Sequence, residues 1–322
     1  MIARSVHRLE GLEPDNPLAF LALLGVLRAL AGASLRARVS WSLDTLPQRP
    51  QLHVDRDVVA DELIEHIDAG VRAIAAVHAF DGRVGLNYPL AECRALLVQA
   101  ASEATPSSRT RADLVAALMH DAAMKDGKEP DVDPTPLCLL FGQGHQHFLE
   151  RLAEVPREDA PPARGPGKRA VRISAADCIA EALFHPWHRS DPTRSFRWDP
   201  AEDVRYATMA GDPTDPAFKG GTQHGANRLA AIGLATLTVV AEARGGRARP
   251  MIIGGARDAV GFSLAWPIWR DPATLAAITA LLSHPGLRSV GALRHLGVDH
   301  VMVARRISVG KFMNLSRAHP LV

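Results

Sequence analysis

"GLEPDNPLAFLALLGVLRALAG" (residues 11–32) sets ten uninterrupted apolar or glycine residues, Leu18 to Leu27, behind an acidic turn that ends in proline. Three readings compete for such a run: an export signal, a membrane span, or the first buried helix of a globular protein. A signal peptide needs a basic start that leads into its apolar core and a small-residue cleavage site. Arg4 and Arg8 are separated from the run by Glu10, Glu13 and Asp15. A span needs about twenty apolar residues, and Arg28 ends this run early. Asp15 or Asn16 can accept hydrogen bonds from the first free N–H groups of a helix. Pro17 suits the first helical position, where its missing N–H would be unpaired anyway. The stretch therefore reads as a capped, buried helix ending near Gly32, in a cytoplasmic protein without a membrane segment.

The 322 residues, 47% of them hydrophobic, are enough for one large domain or two ordinary ones with a real core. Cys93, Cys138 and Cys178 form no C-x-x-C pair and leave an odd thiol, which points to a reducing compartment. The net charge of +2 hides an asymmetry. Residues 1–150 carry 14 basic and 20 acidic side chains, whereas residues 151–322 carry 23 and 15. The halves face different partners or each other, and the basic half is a hint of nucleic-acid contact.

Beyond the first helix, "RARVSWSL" (36–43) alternates as a strand and can pair with "QLHVD" (51–55) as a hairpin. Helical spacing follows in 56–79, 89–104 and 111–127, the last expected to end at Gly127, and a turn-to-helix segment in 141–155 buries Phe148, Leu149 and Leu152. In "PREDAPPARGPGKRAVR" (156–172) proline, glycine and charge replace every periodic apolar signal, as in a linker or loop. Residues 174–184 read as a capped helix, 185–221 as a long loop region, and 225–237 as a helix. Strands are expected at 249–255, 259–269 and 299–312, with a helix at 272–283 and a shorter one at 289–296. The expectation is a mixed α/β protein of α+β class. It divides into a helix-rich region at 1–155 with a small hairpin, a basic linker or loop at 156–173, and a C-terminal region at 174–322 with a mixed or antiparallel sheet and flanking helices.

The chain holds no G-x-x-x-x-G-K-[ST], no G-x-G-x-x-G after a strand, no G-x-S-x-G and no H-E-x-x-H, so an NTPase, a Rossmann enzyme and a common hydrolase are disfavoured. His145 and His147, with Asp131 or Asp133, would bind a metal only in an extended segment; polar residues leading into a helix are the better reading. His185 and His188 lie beside Asp191, but Pro186 interrupts a helix between them, which favours Trp187 as a loop anchor. In "FRWDPAEDVRYA" (196–207), Asp199, Glu202 and Asp203 have the composition of a cation site. Arg197 and Arg205 beside them favour instead a structural network of arginine–carboxylate pairs locked by Trp198; near a nucleic acid, Arg197 or Trp198 would contact phosphate or stack on a base. The tail "ARRISVGKFMNLSRAHPLV" (304–322) has no acid. Strand alternation puts Arg306 and Ser308 on one face, with Lys311 and Asn314 in a glycine-released turn, so the segment reads as a phosphate-contacting edge or a solvated strand face.

Five blocks together, "GLEPDNPLAFLALLGVLRAL", "FRWDPAEDVRYA", "GANRLAAIGLATL", "FSLAWPIW" and "RRISVGKF", resemble proteins encoded in type I-G CRISPR loci, formerly called I-U. The resemblance is to their short large-subunit-type proteins or to the related helicase-extension proteins. It implies a non-catalytic subunit of an RNA-guided, Cascade-type interference complex. Its partners would be the other effector subunits, guide RNA, target DNA including the duplex beside the target, and a helicase–nuclease. Guide pairing would read the sequence while the protein contacts backbone and groove edges. No cofactor, metal or catalytic residue is implied. Charge and loop position nominate Arg164, Lys168, Arg169, Arg172 and Arg197, then Arg305, Arg306 and Lys311, as nucleic-acid contacts. The alternatives are a metal-dependent nuclease or hydrolase built on Asp199, Glu202, Asp203 or the histidines, and a protein–protein adaptor that recruits the helicase–nuclease.

Overall fold

The computed structural model describes residues 4–32, 35–105, 108–125, 131–139, 147–158, 163–164, 169–191, 195–202, 221–309 and 312–322. The apolar run is helix α1 (Pro17–Gly32), in which every residue from Pro17 to Leu27 is buried. Asn16 is its cap: the side-chain Oδ1 accepts from the N–H groups of Leu18 at 2.9 Å and Ala19 at 3.4 Å. A helix buried all round needs covers on several sides. The main one is α7 (His224–Gly233), itself buried at every position. The two meet at glycines: a methyl added to Gly25 would lie 2.0 Å from the Leu229 carbonyl oxygen, and one on Gly233 would lie 2.1 Å from that of Leu21.

Six further α-helices lie among the described residues, with the first and fifth of them packed directly on this pair. They are α2 (Ala60–Ala75), α3 (Leu90–Ser102), α4 (Thr110–Leu118), α5 (Phe148–Glu154), α6 (Ala175–Phe184) and α8 (Leu275–Leu282). Strands β1 (Ser5–Arg8), β2 (Ala37–Trp41) and β3 (Pro50–Val54) form an antiparallel sheet in the order β1-β3-β2. β4 (Val239–Arg244) and β5 (Arg247–Ile252) form a two-stranded ribbon. In the third sheet β6 (Gly255–Arg257), β7 (Phe262–Trp269), β8 (Val298–Val309) and β10 (His319–Pro320) pair antiparallel, and β9 (Phe312–Leu315) returns along β8. The protein is thus of mixed α+β class. One hydrophobic cluster runs from Leu9 to Ala318 through both halves of the chain. No helix among the described residues is long and apolar enough to cross a membrane.

Several elements differ from expectation. Helix α4 stops at Leu118 instead of reaching Gly127, because Met119 turns extended and the Leu118 carbonyl accepts from Thr135 N–H of the returning chain. Gly127 lies outside the described residues. β1, β4, β10, β9 beyond Phe312 and β6 beyond Gly255 lie outside the expected strands, and the helix expected at 289–296 is reduced to a 3-10 turn at Arg294–Leu296. Asn314, expected in a turn, is buried in β9.

Because Gly25 has backbone against it rather than a yielding side chain, Gly25→Ala is expected to destabilise the fold by about 2–4 kcal/mol through overpacking. Gly32→Ala, at the same helix's open end with nothing within 4 Å, should change stability by under about 1 kcal/mol. Urea unfolding of both variants checks the contrast.

Candidate nucleic-acid interface

Asp199 lies at the junction of α1 and the segment after α6, with no exposure to solvent. An ionised carboxylate in that position needs compensating donors. Arg189 provides two, Nε at 2.6 Å and Nη2 at 3.3 Å. Asn16 Nδ2 donates at 3.1 Å and the Ala201 N–H at 3.1 Å. Asn314 Nδ2 of β9 donates to the Asp199 carbonyl at 3.3 Å. Asn16 thus caps α1 with its oxygen and holds Asp199 with its nitrogen. Just before it, the Pro14 carbonyl accepts from Trp266 Nε1 of β7 at 3.1 Å, and Trp266 stacks on Phe20 with ring centres 5.2 Å apart. Arg317 reaches Glu13 at 3.0 Å and Asp15 at 2.7 Å. Three of the five quoted blocks therefore meet here: the α1 start with Asp199 through Asn16, and Trp266 on the Pro14 carbonyl. A fourth, beginning at Gly225, forms α7 and covers α1. Asn314 lies two positions beyond the fifth, "RRISVGKF".

A second buried cluster adjoins the first. Glu202 accepts from the hydroxyls of Thr222, at 2.9 Å, and Ser195. Asn227 Nδ2 donates to the Thr222 hydroxyl at 2.8 Å. Burial, reinforced by the charge of Asp199, pushes the Glu202 carboxyl up to about 7. Arg164 holds Glu181 and Asp191, and Asp191 accepts from the His224 N–H at 2.8 Å. Next to Asn227 on α7, the fully buried Arg228 pairs with Asp68 at 2.8 Å.

The arrangement sorts the nominated residues. Arg164 sits in an antiparallel bridge with Val171 and its guanidinium is engaged by two protein carboxylates, so it belongs to the internal network rather than to a phosphate-gripping loop. Arg169 and Arg172 are exposed. Arg197 is half-buried in a left-handed backbone conformation, φ 63°, with its N–H on the Ser195 hydroxyl at 2.8 Å. Arg305 is exposed and shares a surface ion pair with Asp258 at 2.9 Å. Arg306 is half-buried, 6.0 Å from the centre of the Phe262 ring, which corrects the solvated strand face expected for it. Lys168 and Lys311 lie outside the described residues, as do Asp203, Arg205, Tyr206 and His145.

Two further corrections follow from burial. Trp198 is fully buried, stacked on Phe196 at 4.5 Å with its Nε1 on the Leu137 carbonyl, and is withdrawn from base stacking. The partner of Asp199 is Arg189, not Arg197. Asp199 is met by Arg189 and Asn16 and Glu202 by two hydroxyls rather than by Arg197, and among the described residues no group of three or more His, Cys, Asp or Glu is placed to hold a metal ion. His188 bonds Glu181 and Ser190, and Trp187 anchors its loop through the Ala182 carbonyl, as the proline between His185 and His188 indicated. His147 pairs with Glu150 at 2.6 Å. A scan against protein-family models finds no match for the chain, and a search of curated proteins finds none either.

Asp199→Asn weakens a charge-assisted pair with the half-buried Arg189 and is expected to cost about 1–3 kcal/mol in denaturant unfolding. Glu202 adds a pH signature. Between about 4.5 and about 7 the folded protein keeps a Glu202 proton that the unfolded chain has lost, so this group's contribution to stability falls as pH rises through that window. His78, buried and lowered to about 4, acts oppositely, adding stability as pH rises from about 4 to 6.5. The measurement is therefore a difference. The stability of Glu202→Gln relative to the parent should rise with pH from 4.5 to 7 by up to roughly 3 kcal/mol and then level off.

Proposed function

We propose that the chain is a non-catalytic, nucleic-acid-binding subunit of a type I CRISPR RNA-guided interference complex, large-subunit-like, in contact with guide RNA or target DNA. The observation that carries this reading is the convergence around Asp199. Three of the blocks that resemble the type I-G proteins are far apart in sequence yet meet at one joint, and a fourth covers it as α7, which supports a resemblance in fold. The pairing of Asp199 with Arg189 and Asn16, and of Glu202 with two hydroxyls, supports a structural role for these two carboxylates. Positive charge remains at the surface in Arg169, Arg172 and Arg305. The exposed Arg305–Asp258 pair is no obstacle to phosphate, because surface pairs contribute under about 1 kcal/mol.

Binding of this kind is sequence-independent and dominated by released counterions. Replacing Lys168, Arg169, Arg172, Arg305 and Lys311 by alanine is expected to weaken binding to guide RNA and target duplex across all sequences. The salt dependence should become shallower by about 0.9 in log–log slope for each duplex phosphate that is no longer neutralised. Co-purification of the tagged chain with its neighbouring gene products should recover guide RNA and effector subunits. Wild-type-like salt titrations of the alanine variant would remove these contacts from the proposal. Mg²⁺- or Mn²⁺-dependent cleavage abolished by Asp203→Ala would replace the proposal with a nuclease.

A further inference from the structure

The outer face of the β1-β3-β2 sheet carries charge that the fold does not use. Its inner face is core: Leu52 and Val54 of β3 and Val39 of β2 are fully buried. Strand alternation sends their neighbours outward, and the pairing sets these in rungs. Val6, His53 and Arg38 form one rung, and Arg8, Gln51 and Ser40 the next. One step beyond the first rung the same alternation brings Arg4 and Arg36 to either side of Asp55, with the Arg4 N–H on the Val54 carbonyl at 2.9 Å and the Arg36 N–H on Asp55 Oδ1 at 3.2 Å. Arg56 follows at the bend, where its carbonyl accepts from the Ser5 hydroxyl at 2.9 Å. Arg4, Arg36 and Arg56 are exposed and Arg38 is half-buried.

These four guanidinium groups differ from the arginine beside them. Arg8, on the same face, gives its guanidinium to Glu10, Ser42, Thr45 and the Pro47 carbonyl. Among the described residues no side-chain hydrogen bond or ion pair engages Arg4, Arg36, Arg38 or Arg56. They stand unanswered in the half of the chain that carries 20 acidic side chains against 14 basic ones. The carboxylates that accompany them are Asp55, which takes the Arg36 N–H, and the exposed Asp57 at the bend. Inside the arc of arginines lie Val6, 53% exposed, and the half-buried ring of His53, whose Nε2 meets the Ser40 hydroxyl at 2.8 Å. Burial lowers the His53 pKa, which keeps the ring neutral at physiological pH.

We propose that this face is a platform for a single strand of nucleic acid, its phosphates passing Arg38, Arg36, Arg56 and Arg4 around the open end of the sheet and its bases laid over Val6 and His53. Single strands are held where a row of positive charge tracks the backbone and flat side chains take the bases. Arginine forks match phosphate oxygens, and guanidinium planes and histidine rings also stack on unpaired bases. A duplex suits the face less well, because its major groove admits a helix or a two-stranded ribbon rather than a three-stranded sheet lying flat. The inference rests on the nucleic-acid-binding reading above and adds a single-strand site in the half whose net charge is acidic.

The test uses the full chain and fluorescence anisotropy with labelled single strands of RNA and of DNA, about 12 nucleotides long, and with the DNA duplex of equal sequence. Near 0.15 M salt, Arg4→Ala/Arg36→Ala/Arg56→Ala should lose about tenfold in single-strand affinity, with a salt slope shallower by about two, at about 0.7 for each phosphate no longer neutralised. Duplex affinity should stay within about twofold of the parent. All three positions are exposed, so the melting curve should match that of the parent, and the corresponding lysine variant should restore most of the affinity. Loss on both single strands, on RNA alone as for a guide, or on DNA alone as for an opened target supports the platform and names its strand. Parent-like single-strand binding by the triple variant, or an equal loss on the duplex, overturns the platform while leaving the broader reading in place. A parent protein that binds neither single strand nor duplex overturns both.

Discussion

Burial of the Asp199 carboxylate is the constraint around which the fold is arranged. A charge with no access to water is tolerable only when its donors are held in place, and here they come from segments nearly two hundred positions apart. Arg189 precedes Asp199 in the same loop and Asn16 begins α1, while Asn314 of the final sheet holds the Asp199 backbone carbonyl beside them. Removing any one leaves polar groups stranded in a dry interior, where an unmet donor or acceptor costs about 1–3 kcal/mol. The joint therefore fixes how α1 starts, where the 187–202 segment runs and how β9 returns. Hydrophobic burial drives collapse but is non-directional; this polar geometry selects one arrangement of the collapsed chain.

Local chemistry made much of the fold legible. The Asn16–Pro17 start of α1, the Ser174–Asp177 capping box of α6 and the alternation of β2, β3, β7 and β8 each state their conformation within a few residues. β1 was not legible because its four residues alternate only weakly and are completed by β3, more than forty positions on. β4 was hidden by its continuity with the helical run that ends α7. The hairpin did leave a signal, the Gly245–Gly246 pair between two arginines, which was recognisable as a two-residue turn.

At the site, the residue types were readable and their pairings were not. "FRWDPAED" announced arginine–carboxylate pairing, but the arginine that answers Asp199 is Arg189, supplied by a left-handed bend that no short-range pattern encodes. Arg164 stood in a basic, proline-rich stretch and counted as surface charge, yet Glu181 and Asp191 enclose it. The contrast between an acidic and a basic half has a similar resolution. Asp15 with Arg317, Asp68 with Arg228 and Asp133 with Arg249 join the halves, so part of the asymmetry serves internal cohesion.

The cover over α1 has a consequence for synthesis. Thirteen of this helix's sixteen residues are destined for burial, but α7 leaves the ribosome about two hundred residues after it and Arg317 later still. At roughly 5–20 residues per second the nascent chain displays an apolar helix without its partner for about ten to forty seconds. Contacts of such separation also form slowly once available. During that interval the apolar faces of α1 are open to holding chaperones or to early association, because the joint that orders the finished fold has not yet been made.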